Sequence, residues 1–179
     1  MRDFLEYKKE VISVLERMNG GHQDSIDFVK NSLLAGIKIY TCGNGGSAST
    51  AMHYTTDWSK GLSLQSKRNC NAISLNSNIS LITAIGNDFS YEDIFSYQLK
   101  LLGIKGDVLV VVSGSGNSQN IIRALEVARE KDMTTVGVVG FDGGKCIELL
   151  DYSFHVPSHD MQIFEDISSI FGHAVFRCE

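Results

Sequence analysis

Short apolar runs, each followed by glycine and small polar residues, recur along the sequence and set its fold class. The clearest run is Val-Leu-Val-Val-Val at residues 108–112. A run without polar residues indicates a strand that is covered on both faces, as in a parallel sheet. The turn after it, Ser-Gly-Ser-Gly-Asn-Ser at residues 113–118, is typical of a connection from a strand to a helix. The pattern therefore favours an α/β protein with helices on both sides of a parallel sheet.

Five segments have the composition of strands, and helical spacing fills the gaps between them. Apolar residues recur at intervals of three and four between positions 117 and 131, which predicts a helix there. Two helices are expected near the N-terminus, over residues 3–18 and 25–34, and one at the C-terminus. The order of two helices, βαβαβαβαβ and a last helix predicts a three-layer αβα sandwich with a five-stranded parallel, flavodoxin-like sheet. The predicted strands are residues 37–42, 69–75, 107–113, 134–140 and 152–156.

Length and charge narrow the class of protein. A chain of 179 residues is expected to form a single domain, because domains commonly contain roughly 100 to 200 residues. With 16 Lys+Arg against 21 Asp+Glu, the net charge of −5 argues against broad binding to nucleic acid or to anionic membranes. The longest aliphatic run is far shorter than the ~20 residues that cross a bilayer.

The cysteines and the first residues indicate the compartment. Cys42, Cys70, Cys146 and Cys178 are far apart in the sequence and form no Cys-x-x-Cys pair. We interpret them as reduced thiols. The first ten residues are charged rather than apolar, so we expect no secretory signal and a cytoplasmic location.

Two glycine- and serine-rich turns at the predicted carboxyl edge of the sheet are candidates for binding an anion. Residues 113–118 combine glycines, three hydroxyls and the start of a helix, and residues 42–47 read Cys-Gly-Asn-Gly-Gly-Ser before another helix. Exposed N–H groups, hydroxyls and the helix N-terminus together suit a phosphate monoester. The alternative is that these residues only cap helices and turn the chain. Neither turn contains Gly-x-Gly-x-x-Gly, and the Gly-Lys-Cys that follows residue 143 has the wrong spacing and the wrong last residue for a P-loop.

Two pairs of histidine and carboxylate residues could carry chemistry. His53 and Asp57 are four residues apart, and Glu165 and His173 are eight apart, which is about 12 Å along a helix. Such groups could perform acid–base catalysis or bind a divalent metal. The alternatives are a surface hydrogen bond between His53 and Asp57, and a partly buried His173 in an amphipathic helix.

Six sequence features, three of them described above, occur in a characteristic order along the chain. They are Cys-Gly-Asn-Gly-Gly-Ser at 42–47, His53, Ala-Ile-Gly-Asn-Asp at 84–88, Ser-Gly-Ser-Gly-Asn-Ser at 113–118, Phe-Asp-Gly-Gly-Lys at 141–145 and Val-Pro-Ser at 156–158. In their order and spacing they resemble the phosphoheptose isomerase group of the sugar isomerase (SIS) domain family. The resemblance covers nearly the full length after the first helix.

The resemblance implies an activity and an assembly. The activity is the isomerisation of sedoheptulose 7-phosphate to D-glycero-D-manno-heptose 7-phosphate through an enediol, the first step toward activated heptose for bacterial surface polysaccharides. The assembly is a homotetramer with active sites at subunit interfaces, and we expect the N-terminal helices within residues 1–35 to join an interface. Several members of the family bind zinc.

The resemblance also assigns roles to residues by their match to the family's motifs. Asp57 corresponds to the catalytic base and His173 to its acid–base partner. The zinc ligands would be His53, Asp57, Glu165 and His173. The substrate-binding residues would be Ser113, Ser115 and Ser118 at the phosphate, Asn44 and Ser47 on the sugar side, Asp88 at the hydroxyls, and Glu165.

Four positions depart from the family's usual residues. Asp57 stands in place of glutamate, Glu165 in place of glutamine, Ser168 in place of a histidine and Gly114 in place of a threonine. The shorter Asp57 would set its carboxylate back by about 1 Å, and a displacement of that size can cost on the order of 100-fold in rate.

Two other functions remain open at this stage. One is a non-catalytic sugar-phosphate-binding or adaptor protein, as some SIS-domain relatives are. The other is an isomerase of a different phosphorylated aldose or ketose. Retention of both His53 and His173 favours an enzyme, because those adaptors generally lack the catalytic histidines.

Overall fold

The computed structural model describes residues 3–18 and 22–177, and its centre is one parallel sheet. The strand order is β2-β1-β3-β4-β5, and every neighbouring pair is parallel. This is the flavodoxin-like order, so the predicted sheet is confirmed. The strands are β1 (Ile39–Gly43), β2 (Ala72–Ser74), β3 (Val108–Ser113), β4 (Thr134–Val139) and β5 (Tyr152–His155).

Helices cover both faces of the sheet. A π-helical segment, Asp57–Leu62, continues directly from α3, and short 3₁₀ helices occupy Tyr91–Asp93 and Lys145–Leu149. The α-helices are α1 (Phe4–Arg17), α2 (His22–Leu34), α3 (Gly46–Thr56), α4 (Ser63–Ser66), α5 (Ile79–Asp88), α6 (Ser96–Leu102), α7 (Gln119–Glu130) and α8 (Met161–Arg177).

The connection between β4 and β5 differs from the prediction. The order βαβαβαβαβ predicts an α-helix there, but the chain forms only the 3₁₀ helix Lys145–Leu149. Gly143 and Gly144, just before it, both have positive φ angles, of 86° and 52°. Neither residue can belong to a right-handed helix, so a helix can begin only at Lys145. Seven residues then remain before β5 begins at Tyr152, and this short stretch forms the 3₁₀ helix instead of an α-helix of several turns.

Alternate residues of β3 enter two separate hydrophobic cores. Val108, Val110 and Val112 pack with the first core, and Leu109 and Val111 pack with the second. Side chains of a strand alternate between the two faces of a sheet, so a strand covered on both faces must be apolar throughout. This explains why the run at residues 108–112 has no polar residue.

Aromatic side chains of α3 and of the π-helical segment that follows it hydrogen-bond to the backbone of α8. The Tyr54 hydroxyl donates to the Ser168 carbonyl oxygen at 2.5 Å, and the Trp58 indole N–H donates to the Gly172 carbonyl oxygen at 3.1 Å. Gly172 lies so close to the Tyr54 ring that a Cβ there would overlap it. These contacts fix the register between the two helices that carry His53, Asp57 and His173.

The N-terminal helix α1 rests on α8. Tyr7 donates a hydrogen bond of 2.6 Å to the Asp166 carboxylate, and Val14 is buried. Phe4 and Leu5 remain 76% and 62% exposed in the single chain. Across the described residues, no helix combines the length and the apolar character that crossing a membrane requires.

Three of the four cysteines lie in the described chain. Cys42, Cys70 and Cys146 are free thiols and are buried. Burial raises the pKa of the Cys42 thiol and raises that of Cys146 to about 11, so both stay protonated and unreactive. The fourth, Cys178, lies outside the described residues.

Candidate active site

A small polar cavity opens at the carboxyl edge of the sheet, where β1 and β3 end. Its volume is about 250 Å³. Both predicted turns contribute to it, and six of the predicted substrate-binding residues meet in it. It is lined by Asn44, Gly46, Ser47, Val112, Ser113, Gly114, Ser115, Ser118, Met161 and Glu165.

The serines of the 113–118 turn keep their protons free to donate to a ligand. The Ser113 hydroxyl oxygen accepts from the Gly116 N–H at 3.2 Å, and that of Ser115 accepts from the Asn117 N–H at 3.2 Å. A hydroxyl that accepts a bond still has its own proton available. Ser118 is the N-cap residue of α7, and in the part of the chain that the structure describes its hydroxyl accepts no hydrogen bond from the N–H groups of the first helical turn. Its hydroxyl is therefore also available, so capping does not account for this serine.

A second loop supports the 113–118 turn from behind. The Cys146 N–H donates to the Gly116 carbonyl oxygen at 2.9 Å, and the Lys145 N–H donates to the Asn117 side-chain oxygen at 3.2 Å. Gly116 lies against the Gly143 carbonyl, where a Cβ would not fit. These contacts give the Phe-Asp-Gly-Gly-Lys stretch a structural role: it holds the shape of the turn.

Three residues near the cavity were missed by the sequence analysis. Asn120 and Tyr91 both hydrogen-bond the side chain of Asn44. Asn76 bonds both the N–H and the carbonyl oxygen of Gly43, at 3.2 and 3.0 Å, and so braces the first turn. Asn120 alone left a signal in the sequence, because it is a polar residue beside the apolar face of α7.

Three side chains converge on one point: His53 from α3, Asp57 from the start of the π-helical segment and His173 from α8. The Asp57 Oδ2 atom lies 3.4 Å from His53 Nε2 and 3.7 Å from His173 Nε2. The two imidazole rings are 5.3 Å apart and nearly perpendicular. The His53 and His173 side chains are 54% and 52% exposed, and that of Asp57 is 29% exposed. His173 is therefore an accessible group rather than a core histidine.

The same three side chains form a candidate metal centre. One ligand atom from each of His53, Asp57 and His173 lies within 4.8 Å of the others. Two imidazoles and a carboxylate are the donor set of many zinc sites, with a fourth position open for water or substrate. The metal-binding residues predicted for this group are thus brought together, except for Glu165.

Glu165 lines the cavity, in line with its substrate assignment, but lies outside the group of three candidate metal ligands, and Asp88 does not line the cavity. Glu165 is eight residues before His173 on α8, and its carboxylate lies against Gly46 in the cavity. Asp88 is exposed at the end of α5, where it accepts a hydrogen bond of 2.9 Å from Asn87, and it does not line the cavity. Ser168, at the position of a family histidine, is buried and donates to the Phe164 carbonyl oxygen.

Two relatives with similar sequences are both described as phosphoheptose isomerases. A phosphoheptose isomerase of Helicobacter pylori is 38% identical over 177 residues, which are 99% of this chain and 92% of the relative. A phosphoheptose isomerase of Rhodospirillum rubrum is 41% identical over 145 residues, covering 81% of this chain and 77% of the relative.

Solved structures agree with the sequence comparison. A phosphoheptose isomerase of Francisella tularensis superposes with a TM-score of 0.88 at 26% identity, covering 97% of this chain and 92% of the other. One from Neisseria gonorrhoeae gives a TM-score of 0.86 at 32% identity, covering 96% and 94%. The SIS domain model matches residues 4–140. The chain therefore belongs to the SIS domain family, and within it to the phosphoheptose isomerase group.

Proposed function

We propose that the protein is an aldose–ketose isomerase that converts sedoheptulose 7-phosphate to D-glycero-D-manno-heptose 7-phosphate. The observation that carries the proposal is the meeting of Asp57 with His53 and His173 at distances of 3.4 and 3.7 Å. A carboxylate beside two accessible imidazoles supplies both a base and an acid–base partner. The similar phosphoheptose isomerases give the reaction its class.

The cavity at the carboxyl edge would hold the phosphate group. Ser113, Ser115 and Ser118 offer hydroxyl donors, and the N-terminus of α7 adds partial positive charge. Asn44 and Ser47 line the same cavity from the first turn, on the side where the sugar carbons would extend. Glu165, from α8, would accept from sugar hydroxyls.

The reaction moves a proton between C1 and C2 of the open-chain sugar. In our proposal Asp57 removes the proton from C1 of the ketose, which leaves an enediol, and returns it to C2. His173 moves the hydroxyl proton between O1 and O2. Each positioned proton transfer contributes typically 10²- to 10⁴-fold to a rate.

Zinc fits the group of His53, Asp57 and His173, which would hold it. When bound, it would polarise the oxygens at C1 and C2. Asp57 has two carboxylate oxygens, so one can bind the ion while the other accepts a proton. Metal analysis tests this: we expect stoichiometric zinc in the purified protein, its loss in His53→Ala, and its retention in the control Asp88→Ala. Zinc-free protein, or equal zinc in both variants, would contradict the proposal.

We further propose a homotetramer in which a neighbouring copy completes each active site. Ser47 and Asp57 are ten residues apart on one helical stretch, or about 15 Å along its axis. This spacing supports a sugar whose phosphate binds one copy and whose carbonyl end meets Asp57 of the next. The exposed Phe4 and Leu5 support a role of residues 1–35 in an interface. We expect the single SIS domain to act in the cytoplasm, where the buried free thiols stay reduced.

Incubation with sedoheptulose 7-phosphate, with and without added zinc, tests the activity. We expect aldose product from the wild type and none from Asp57→Ala or His173→Ala. Absence of product from the wild type, or unchanged activity in both variants, would remove the proposal. A panel of other sugar phosphates tests the substrate.

Mixing subunits tests the shared site. Ser118→Ala and Asp57→Ala, each weak alone, should regain activity when they are unfolded and reassembled together, because some interfaces then combine an intact turn with an intact Asp57. No recovery in protein shown to contain mixed tetramers would place each active site within one copy.

A further inference from the structure

The side chain of Asn44 is held in one orientation by two neighbours. Its Oδ1 atom accepts from Asn120 Nδ2 at 2.8 Å and from the Tyr91 hydroxyl at 3.0 Å. Its Nδ2 atom donates to Asn120 Oδ1 at 2.9 Å. A carboxamide offers two N–H donors and two acceptor lone pairs. Both lone pairs and one donor of Asn44 are therefore used, and one N–H remains.

The orientation is fixed by burial as well as by pairing. Asn120 is 2% exposed, so its amide has no water to replace Asn44. Rotating one of the two amides alone by half a turn would bring donor against donor and acceptor against acceptor. A buried amide without partners is costly, so the reciprocal pair is strongly preferred. Tyr91 adds a third contact, in which its hydroxyl donates to Oδ1 and so favours the orientation that places the Asn44 oxygen toward it.

We propose that Asn120 and Tyr91 are positioning residues that restrict Asn44 to a single donor aimed at an acceptor oxygen of the bound sugar. Asn44 lines the cavity together with Ser47 and the serines of the 113–118 turn. The hydrogen-bonded pair of Asn44 and Asn120 joins the loop after β1 to the first helical turn of α7. This inference rests on the proposed binding of a sugar phosphate in the cavity.

Binding of two probes separates orientation of Asn44 from general damage to the site. The probes are inorganic phosphate and heptitol 7-phosphate, the reduced sugar, which cannot isomerise. In titration calorimetry, the affinity for heptitol 7-phosphate should fall by about 10-fold in Asn120→Ala and by about 3-fold in Tyr91→Phe, as expected for one misdirected hydrogen bond. The affinity for inorganic phosphate should stay within about twofold, because the serines that bind it are unchanged.

Tyr97→Phe is the matched control for the tyrosine. Tyr97 lies on α6 and stacks on Phe89 at a ring distance of 5.2 Å, away from Asn44. We expect it to bind both probes as the wild type does. In the isomerase assay, Asn120→Ala and Tyr91→Phe should raise KM by the same factors while kcat changes little, because the contact is equal in the ground and transition states.

The outcomes distinguish this inference from the proposed function. Equal weakening of both probes would make Asn120 a structural residue of the turn, and wild-type affinity in both variants would remove the positioning role. Either result overturns the inference alone. If the wild-type protein binds heptitol 7-phosphate but does not convert sedoheptulose 7-phosphate, only the proposed isomerase activity is overturned. If it binds neither probe, both the activity and the inference are overturned.

Discussion

Lengthening Asp57 by one methylene tests the acid–base assignment most directly. The carboxylate Oδ2 atom lies 3.4 Å from His53 Nε2 and 3.7 Å from His173 Nε2. Both distances exceed the ~3.2 Å upper limit of a good N–H···O hydrogen bond. They leave room for an ion between the three groups. Glutamate at this position adds one methylene, which lets the carboxylate reach about 1 Å further toward a sugar bound over the imidazoles.

The expected magnitude follows from the geometry. A displacement of about 1 Å at a reacting group can cost on the order of 100-fold in rate. We therefore expect Asp57→Glu to raise kcat by about 10- to 100-fold, with KM changed little because the phosphate cavity is separate. Asp57→Asn keeps the size and removes the base, so kcat should fall by at least about 100-fold.

Two assays are needed because the variants differ in which step they change. Product formation gives kcat, and exchange of the C1 proton with deuterated water, followed by NMR, reports the enediol even when product is scarce. Asp27→Glu, an exposed change on α2, is the control for adding a methylene elsewhere. Equal or lower kcat in Asp57→Glu at unchanged zinc content, with exchange retained in Asp57→Asn, would refute Asp57 as the base.

Three further changes test the phosphate turn, the α1 contact and the α3–α8 contact. Ser118→Ala should lower the affinity for inorganic phosphate by about 10-fold in titration calorimetry, because a donor to a charged oxygen is lost. An unchanged affinity would contradict the role of Ser118 in phosphate binding. The hydrogen bond to Asp166 raises the pKa of Tyr7 to about 12, so the stability that its neutral phenol contributes is complete below pH 10 and is lost as the pH rises to 12. Tyr7→Phe should flatten that decline in urea unfolding, and an identical decline in both proteins would refute the effect. Gly172→Ala should cost about 1–3 kcal/mol of stability and lower activity, since its Cβ meets the Tyr54 ring; wild-type stability would show that the helices tolerate separation.

The sheet could be predicted because its signals are local. The run at residues 108–112 is apolar throughout since β3 supplies both cores, and four valines in a run of only five residues favour a strand over a buried helix. The connection between β4 and β5 was predicted wrongly, because helices fill the other crossovers and glycine content alone does not reveal backbone angles. The positive φ values of Gly143 and Gly144 delay the start of any helix to Lys145, and only seven residues then remain before β5.

In the candidate site, too, residues that share one short segment could be predicted and residues from distant segments could not. The serines of the 113–118 turn were found because their spacing, glycines and following helix lie in one short segment. Asn120 and Tyr91 were missed because they are 76 and 47 residues from Asn44 in the chain. Their role exists only when separate crossovers meet at the edge of the sheet, and a single sequence carries no record of that meeting.

The register between α3 and α8 links the phosphate cavity to the acid–base group. Glu165 lies at Gly46 near the start of α3, and His173 lies beside Asp57 at its end, so the helices run side by side in the same direction. Close contact is possible at Gly46 and at Gly172 because neither has a Cβ. A slip of one turn, about 5.4 Å, would remove Glu165 from the cavity and His173 from Asp57 together. The packing of one helix pair therefore sets both the phosphate cavity and the acid–base group that each copy contributes, which is why a side chain at Gly172, remote from the phosphate, should weaken the chemistry as well as the fold.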